Sequence, residues 1–318
     1  MGADPGDDVS DAGSPDAVVV VPGTAGMDLM GTCRPMADGA ADPTWRFAPD
    51  RVARAFSTPV GPVAVELDRG EGGCGEGDVV ARCWGDGTPW VLPRLSRMLG
   101  EPAPADFRSE LHPLVHQLAR RHDSTRFGAS LRLRDVLVPT ILGQRVTSME
   151  ARRSWWQLVR RHGSAAPGPL ELLLPPTPST VVRLSDADWH RLGVERQRAD
   201  AIRRVHGVLG VLEAAADAGS AHLQERLCQV PGIGPWTATG LAANVLGDQD
   251  AVLLGDLHVP HNVCFALAGE PRGSDERMLE LLEPWRGYRA RVTRLLRRSG
   301  RRAPRRGPRY RPLPISSW

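Results

Sequence analysis

The sequence contains no lysine; all forty of its basic residues are arginine. A Schiff base on a side-chain amine, a phosphate-loop lysine and a kinase lysine each require a residue the chain does not have, so those mechanisms are excluded. Cysteine is scarce as well. Cys33, Cys74, Cys83, Cys228 and Cys264 are odd in number, widely scattered and form no Cys-x-x-Cys pair, which argues against a disulfide framework or a four-cysteine cluster. No apolar run approaches the roughly twenty residues that a membrane-spanning helix needs. Met1 to Thr44 also lacks the basic start, apolar segment and small-residue cleavage site of a secretory signal, and Val18 to Val21 is too short to supply one. The expectation is a cytoplasmic protein with reduced thiols and no membrane partner.

What is present is ordinary in amount and uneven in place. A length of 318 residues suggests about two domains, and 41% hydrophobic with 24% charged residues is typical of a globular chain. The formal charge of +3 conceals an asymmetry: residues 1–45 carry eight aspartates against Arg34 alone, leaving the remainder near +10. Twelve arginines fall between residues 286 and 311, interrupted by Pro304, Pro308 and Tyr310. Such a run is either a solvated tail or a contact surface. Because arginine suits phosphate forks and base stacking, nucleic acid is the first partner to consider.

Residues 1–43, rich in Gly, Ala, Asp and Pro without periodicity, read as a disordered acidic tail outside the fold. Residues 44–108 read as a small β-containing domain, with β-like stretches at 62–67 and 79–84 separated by the glycine-rich turns 70–77 and 85–87. From 109 to 300 the pattern is helical, and 301–318 form an Arg/Pro-rich tail. Apolar spacing such as Ile202, Val205, Leu209 and Leu212 predicts helices over 112–121, 131–142, 148–162, 186–192, 196–216, 222–230, 236–246 and 257–268. Thr147 with Glu150 fits a capping box, Gly247 and Gly269 are placed as helix stops, and 165–178 is a proline-rich loop. Trp155, Leu158 and Val159 share one helix face and are expected in the core. The fold class is mainly α, preceded by a small α+β domain.

The most informative segment is Leu227-Cys228-Gln229-Val230-Pro231-Gly232-Ile233-Gly234-Pro235-Trp236-Thr237-Ala238. It sets a Pro-Gly-Ile-Gly turn between two amphipathic helices. The glycines permit backbone angles and close approach, and Pro235 suits a first helical position. Amides of the turn and helix start then form an anion site able to hold a backbone phosphate without reading sequence, at Pro231, Gly232, Ile233, Gly234 and Thr237. The plain alternative is a tight helical turn with a glycine stop. Downstream, Gly255-Asp256 before an apolar-periodic stretch is the pattern of an N-cap aspartate.

With these motifs the chain resembles, over about residues 110–300, the helix-hairpin-helix DNA glycosylase superfamily, nearest its bacterial alkylpurine (3-methyladenine) branch. Gly143-Gln144-Arg145-Val146-Thr147 resembles the family's helix junction, and Gly193 with Arg198-Ala199-Asp200-Ala201-Ile202 resembles its Gly…Arg-Ala…Ile helix. The resemblance implies that Asp256 is the catalytic carboxylate. It would stabilise positive charge developing on deoxyribose as the base departs and align the attacking water. It implies a base-excision-repair enzyme, monomeric and nucleoid-associated, that binds damaged double-stranded DNA through the minor groove, bends it and flips the target base. Bifunctional members place a lysine where this chain has Trp236, so the implied enzyme is monofunctional, releasing alkylated purines and leaving an abasic site. The competing class is a non-enzymatic helix-hairpin-helix DNA-binding protein in which Asp256 is only a cap.

The resemblance makes Trp236 a pocket wall, an indole able to stack on a cationic base, against the alternative of a core tryptophan. Gln144 and Arg145 stand where family members insert a wedge into the duplex; Arg145 is equally a surface residue. Where the best-known alkylpurine enzymes carry two further aromatics, this chain has Gly240 and Arg294, implying a roomier pocket open to bulkier adducts. No cofactor is expected, apart from a monovalent cation that family hairpins can hold on backbone carbonyls. His258 and His261 lack a third ligand in recognisable spacing, so no metal is expected either.

Overall fold

The computed structural model describes residues 13–69 and 77–304. Five antiparallel strands form the N-terminal sheet: β1 (Ala17–Val21), β2 (Trp45–Ala48), β3 (Arg51–Thr58), β4 (Gly61–Asp68) and β5 (Val79–Trp84), in the spatial order β1-β5-β4-β3-β2. One face packs Val52, Phe56, Val65 and Leu67 against Leu29 and Cys33 of the helix Leu29–Cys33 and against Leu95 and Leu99. The other face carries small residues, Ala53, Ala55 and Ala64, beside Trp84. Leu170, Leu172 and Leu174 cover it, drawn from the proline-rich stretch where β6 (Ser164–Ala165) pairs with β7 (Leu173–Leu174).

The placing of residues 1–43 outside the fold is corrected from residue 17 onward. Val19 pairs with Ala81 and Val21 with Val79, while Val18 and Val20 alternate outward at 56% and 62% exposure. Period-two alternation lets a short strand bury one edge when a paired strand supplies the missing hydrogen bonds. Asp28 then caps the next helix through Gly31 N–H and accepts from Thr125 Oγ1 and Arg298 Nη2 at 2.9 and 3.2 Å. The acidic start thus touches the arginine-rich end of the described chain. Residues 1–12, the 70–76 part of the glycine-rich turn, and 305–318 lie outside the described residues.

The helical part follows the expected spacing closely. The helix Ser148–His162 carries both halves of the Thr147/Glu150 capping box, and Gly247 and Gly269 close their helices in the left-handed conformation. Trp155, Leu158 and Val159 are buried in its core. The single helix expected over 196–216 is instead two, Arg196–Gly207 and Leu209–Asp217, broken at Val208 between Gly207 and Gly210, where two residues of low helix propensity meet. Two helices not predicted from the sequence, Asp275–Leu282 and Arg289–Arg298, pack with Val263 and Cys264 of the helix Val259–Ala268. Sheet and helices are bound by buried contacts: Arg54 of β3 donates to Ser130 O at 2.7 Å and lies 3.7 Å from Asp135.

Candidate active site

The hairpin joins the helices Ser220–Cys228 and Pro235–Leu246. Gly232 has φ +95°, and a Cβ there would meet Ala201 Cβ at 2.9 Å, so both backbone angle and packing demand glycine. Ile233 is buried, and its N–H donates to Val230 O at 3.0 Å, which pins the turn. Gly234 offers no side-chain cap to the first-turn amides of Trp236 and Thr237. The Gly232 and Gly234 N–H groups find no acceptor among the described residues. Pro231, Gly232, Gly234 and Pro235 are exposed, so this cluster of donors can meet an anionic oxygen from solvent.

Thr237 and Gln144 are placed differently from the expectation. The Thr237 side chain is buried, and its Oγ1 accepts from Gln144 Nε2 at 2.8 Å instead of facing a phosphate. Gln144 Nε2 also donates to Gly232 O at 3.1 Å, so this side chain ties the junction between the helices Leu133–Leu142 and Ser148–His162 to the hairpin. Arg145 beside it is exposed and sits at φ +56°, a left-handed conformation that non-glycine residues seldom adopt. Of the carbonyls considered for a monovalent cation, Val230 O accepts from Ile233, Pro231 O from Arg204 and Gly232 O from Gln144.

Asp256 precedes the helix Val259–Ala268. Its Oδ1 accepts from the amides of His258 and Val259 at 2.8 and 2.9 Å, and its Oδ2 accepts from Trp236 Nε1 at 3.0 Å. A carboxylate has about four acceptor sites, so these three partners leave one, on Oδ2. The supporting loop is itself fastened. Gly255 N–H donates to Asp275 Oδ2 at 2.8 Å, and Asp250 Oδ1 accepts from Gly287 N–H and Arg289 Nε, each at 2.8 Å. Burial opposes ionisation of Asp250, yet the hydrogen bonds from Arg289 and Gly287 hold its carboxyl below the usual range.

Trp236 spans the site. One end of its indole reaches Asp256, and its Cη2 would lie 3.6 Å from a Cβ placed on Gly143. It does not line the neighbouring cavity of about 230 Å³, whose walls include Phe127, Gly240, Asn244, Leu253, Val259 and Arg294. Leu253 and Val259 stand three residues to either side of Asp256, so the cavity opens beside the carboxylate's own loop. Gly240 and Arg294 therefore meet in one space, one leaving room and the other bringing charge. His258 is exposed, and His261 Nδ1 lies 2.9 Å from Gly273 O. Among the described residues no group of three His, Cys, Asp or Glu is placed to hold a metal. Asn244, Asp250, Asp275 and Phe127 are site or support residues that no sequence spacing marks.

No protein-family model matches the chain, and no curated protein matches it by sequence. Its fold is that of helix-hairpin-helix DNA glycosylases. It is similar to the 3-methyladenine DNA-glycosylase of Archaeoglobus fulgidus, with TM-score 0.73 and 19% identity over 88% of this chain and 97% of that one. It is also similar to the 8-oxoguanine glycosylase/lyase of Clostridium acetobutylicum solved with double-stranded DNA, with TM-score 0.66 and 13% identity over 90% and 99% of the two chains. Among the described residues no helix is long and apolar enough to cross a membrane.

Proposed function

We propose that the protein is a monofunctional DNA N-glycosylase of base excision repair that hydrolyses the N-glycosidic bond of modified purines, alkylated purines among them, and leaves an abasic site. The observation that carries this reading is Asp256, aimed by three hydrogen bonds, with one acceptor position unused, beside both a donor-rich turn and a base-sized cavity. The turn grips a backbone phosphate of duplex DNA. The extruded base enters the cavity, because its glycosidic bond is out of reach within the stack. The carboxylate stabilises the positive charge that develops on deoxyribose, and its free Oδ2 position takes a proton from, or aligns, the attacking water. Arg145, exposed at the helix junction, fills the gap left by the base. The protein works as a monomer in the cytoplasm, at the nucleoid.

No side-chain amine exists to attack the sugar, which favours hydrolysis without strand cleavage. A covalent adduct trapped by borohydride on abasic DNA, with the α-amino group blocked, would overturn this part. The reading as a whole is tested by release of free base from methylated DNA and from duplexes carrying deaminated or bulky purine adducts. Release by the wild type, lost in Asp256→Asn while DNA affinity is kept, supports it. Binding without release from any of these substrates leaves a non-enzymatic DNA-binding protein.

A further inference from the structure

The cavity beside Asp256 contains two unmet polar atoms. Arg294 Nη1 and Asn244 Oδ1 are both buried and have no hydrogen-bond partner among the described residues, although both residues line the same space. Buried polar atoms are nearly always paired, because leaving one unmet costs about 1–3 kcal/mol. A donor and an acceptor left open on one cavity wall are what a ligand edge with the reverse pattern would complete.

The rest of the lining sets the ligand's charge. Arg294, Arg297, Arg301 and Arg302 line the cavity, and no carboxylate does. The Arg294 guanidinium carbon lies 3.8 Å from the centre of the Phe127 ring, so the one aromatic face in the lining already stacks on a cation. Burial, then the neighbouring Arg297, Arg291 and Arg298, push the Arg294 pKa down to about 9, which leaves it charged at neutral pH. A cationic base entering here meets like charge without a compensating anion. Size is adequate for a fused ring, since a cavity of roughly 150 Å³ already holds benzene.

We infer that Arg294 and Asn244 determine specificity by selecting an uncharged 6-oxopurine, the guanidinium donating to its carbonyl and the Asn244 carboxamide oxygen accepting from the adjacent ring N–H. The inference rests on the glycosylase reading and narrows it, because the fully methylated cations that the chain's resemblance points to are the poorer fit. Hypoxanthine is the simplest probe: it is uncharged and carries the carbonyl beside the ring N–H. 3-Methyladenine is the contrast, lacking the carbonyl and leaving the sugar as a cation.

The test is single-turnover release of each base from duplex DNA by the full-length protein and by Arg294→Met and Asn244→Leu. The ratio of hypoxanthine to 3-methyladenine release is expected to fall at least about tenfold in Arg294→Met, because a lost hydrogen bond to a charged group and a lost like-charge repulsion act in the same direction. Asn244→Leu lowers the same ratio. A ratio is unaffected by a general loss of folded protein, so a variant that is merely unstable leaves it where it was. An unchanged ratio in both variants overturns the inference. Release of 3-methyladenine but not hypoxanthine by the wild type overturns it as well, while the glycosylase reading stands. No Asp256-dependent release of any base overturns both.

Discussion

Trp236 Nε1 lies 3.0 Å from Asp256 Oδ2, so the first turn of the hairpin's second helix is hydrogen-bonded directly to the carboxylate twenty residues downstream. The residue that follows the phosphate-gripping turn therefore also fixes the direction of the acid. Movement of the hairpin on DNA would be felt at the carboxylate without any intervening element.

Trp236→Phe keeps an aromatic ring and removes the indole N–H. A hydrogen bond to a charged group contributes about 1.5–3 kcal/mol, so the rate of base release is expected to fall by about tenfold or more with DNA affinity little changed. Single-turnover kinetics beside a binding titration checks this. A full rate in the variant would mean that the His258 and Val259 amides alone orient Asp256.

Gln144 ties the Leu142–Ser148 junction to the hairpin through Gly232 O and Thr237 Oγ1. Gln144→Ala removes both bonds and leaves the buried Thr237 hydroxyl without that donor. Denaturant unfolding should show a loss of about 1–3 kcal/mol. A loss of DNA affinity with unaltered stability would instead support the minor-groove role expected from the sequence.

Gly240→Trp tests the cavity as the base pocket. A Cβ at this position would lie 3.5 Å from Leu253 Cδ2, an ordinary contact, so the backbone accepts a side chain while the cavity does not stay open. Base release is expected to be lost, most severely for bulky adducts, with an unchanged melting temperature. Undiminished release of a bulky purine adduct would place the base elsewhere.

Asp38 provides a pH test remote from the site. Burial, and then the charge of Asp42, push its pKa up to about 7, with Arg152 opposing. The folded state therefore holds this proton more tightly than the unfolded chain, whose carboxylates titrate near 4. Its contribution to stability is present at acid pH and is lost as pH rises from about 4 through about 7. Asp38→Asn should raise the melting temperature at pH 8 and leave it nearly unchanged at pH 4. Thermal melts of both proteins at the two pH values decide it.

Much of the molecule was legible because its signals are local. The capping box at Thr147, the helix stops at Gly247 and Gly269, and the turn around Gly232 each depend on a few neighbouring residues. β1 was missed for the opposite reason. Its four valines lie among Gly and Asp, and the strand that completes them begins at Val79. The break at Val208 was missed because the apolar spacing of Ile202, Val205, Leu209 and Leu212 runs on unbroken across it.

At the site the division is the same. The phosphate-binding turn, the position of Asp256 before its helix and the exclusion of lysine chemistry were determined by the sequence alone, since each is set by residue type and short spacing. The tertiary structure alone decided that Trp236 holds Asp256, that Thr237 turns inward to Gln144, and that Arg294, Asn244, Phe127 and Gly240 share one cavity. Those side chains come from segments far apart in the chain. Their burial, and the atoms it leaves unpaired, exist only once the packing has brought them together.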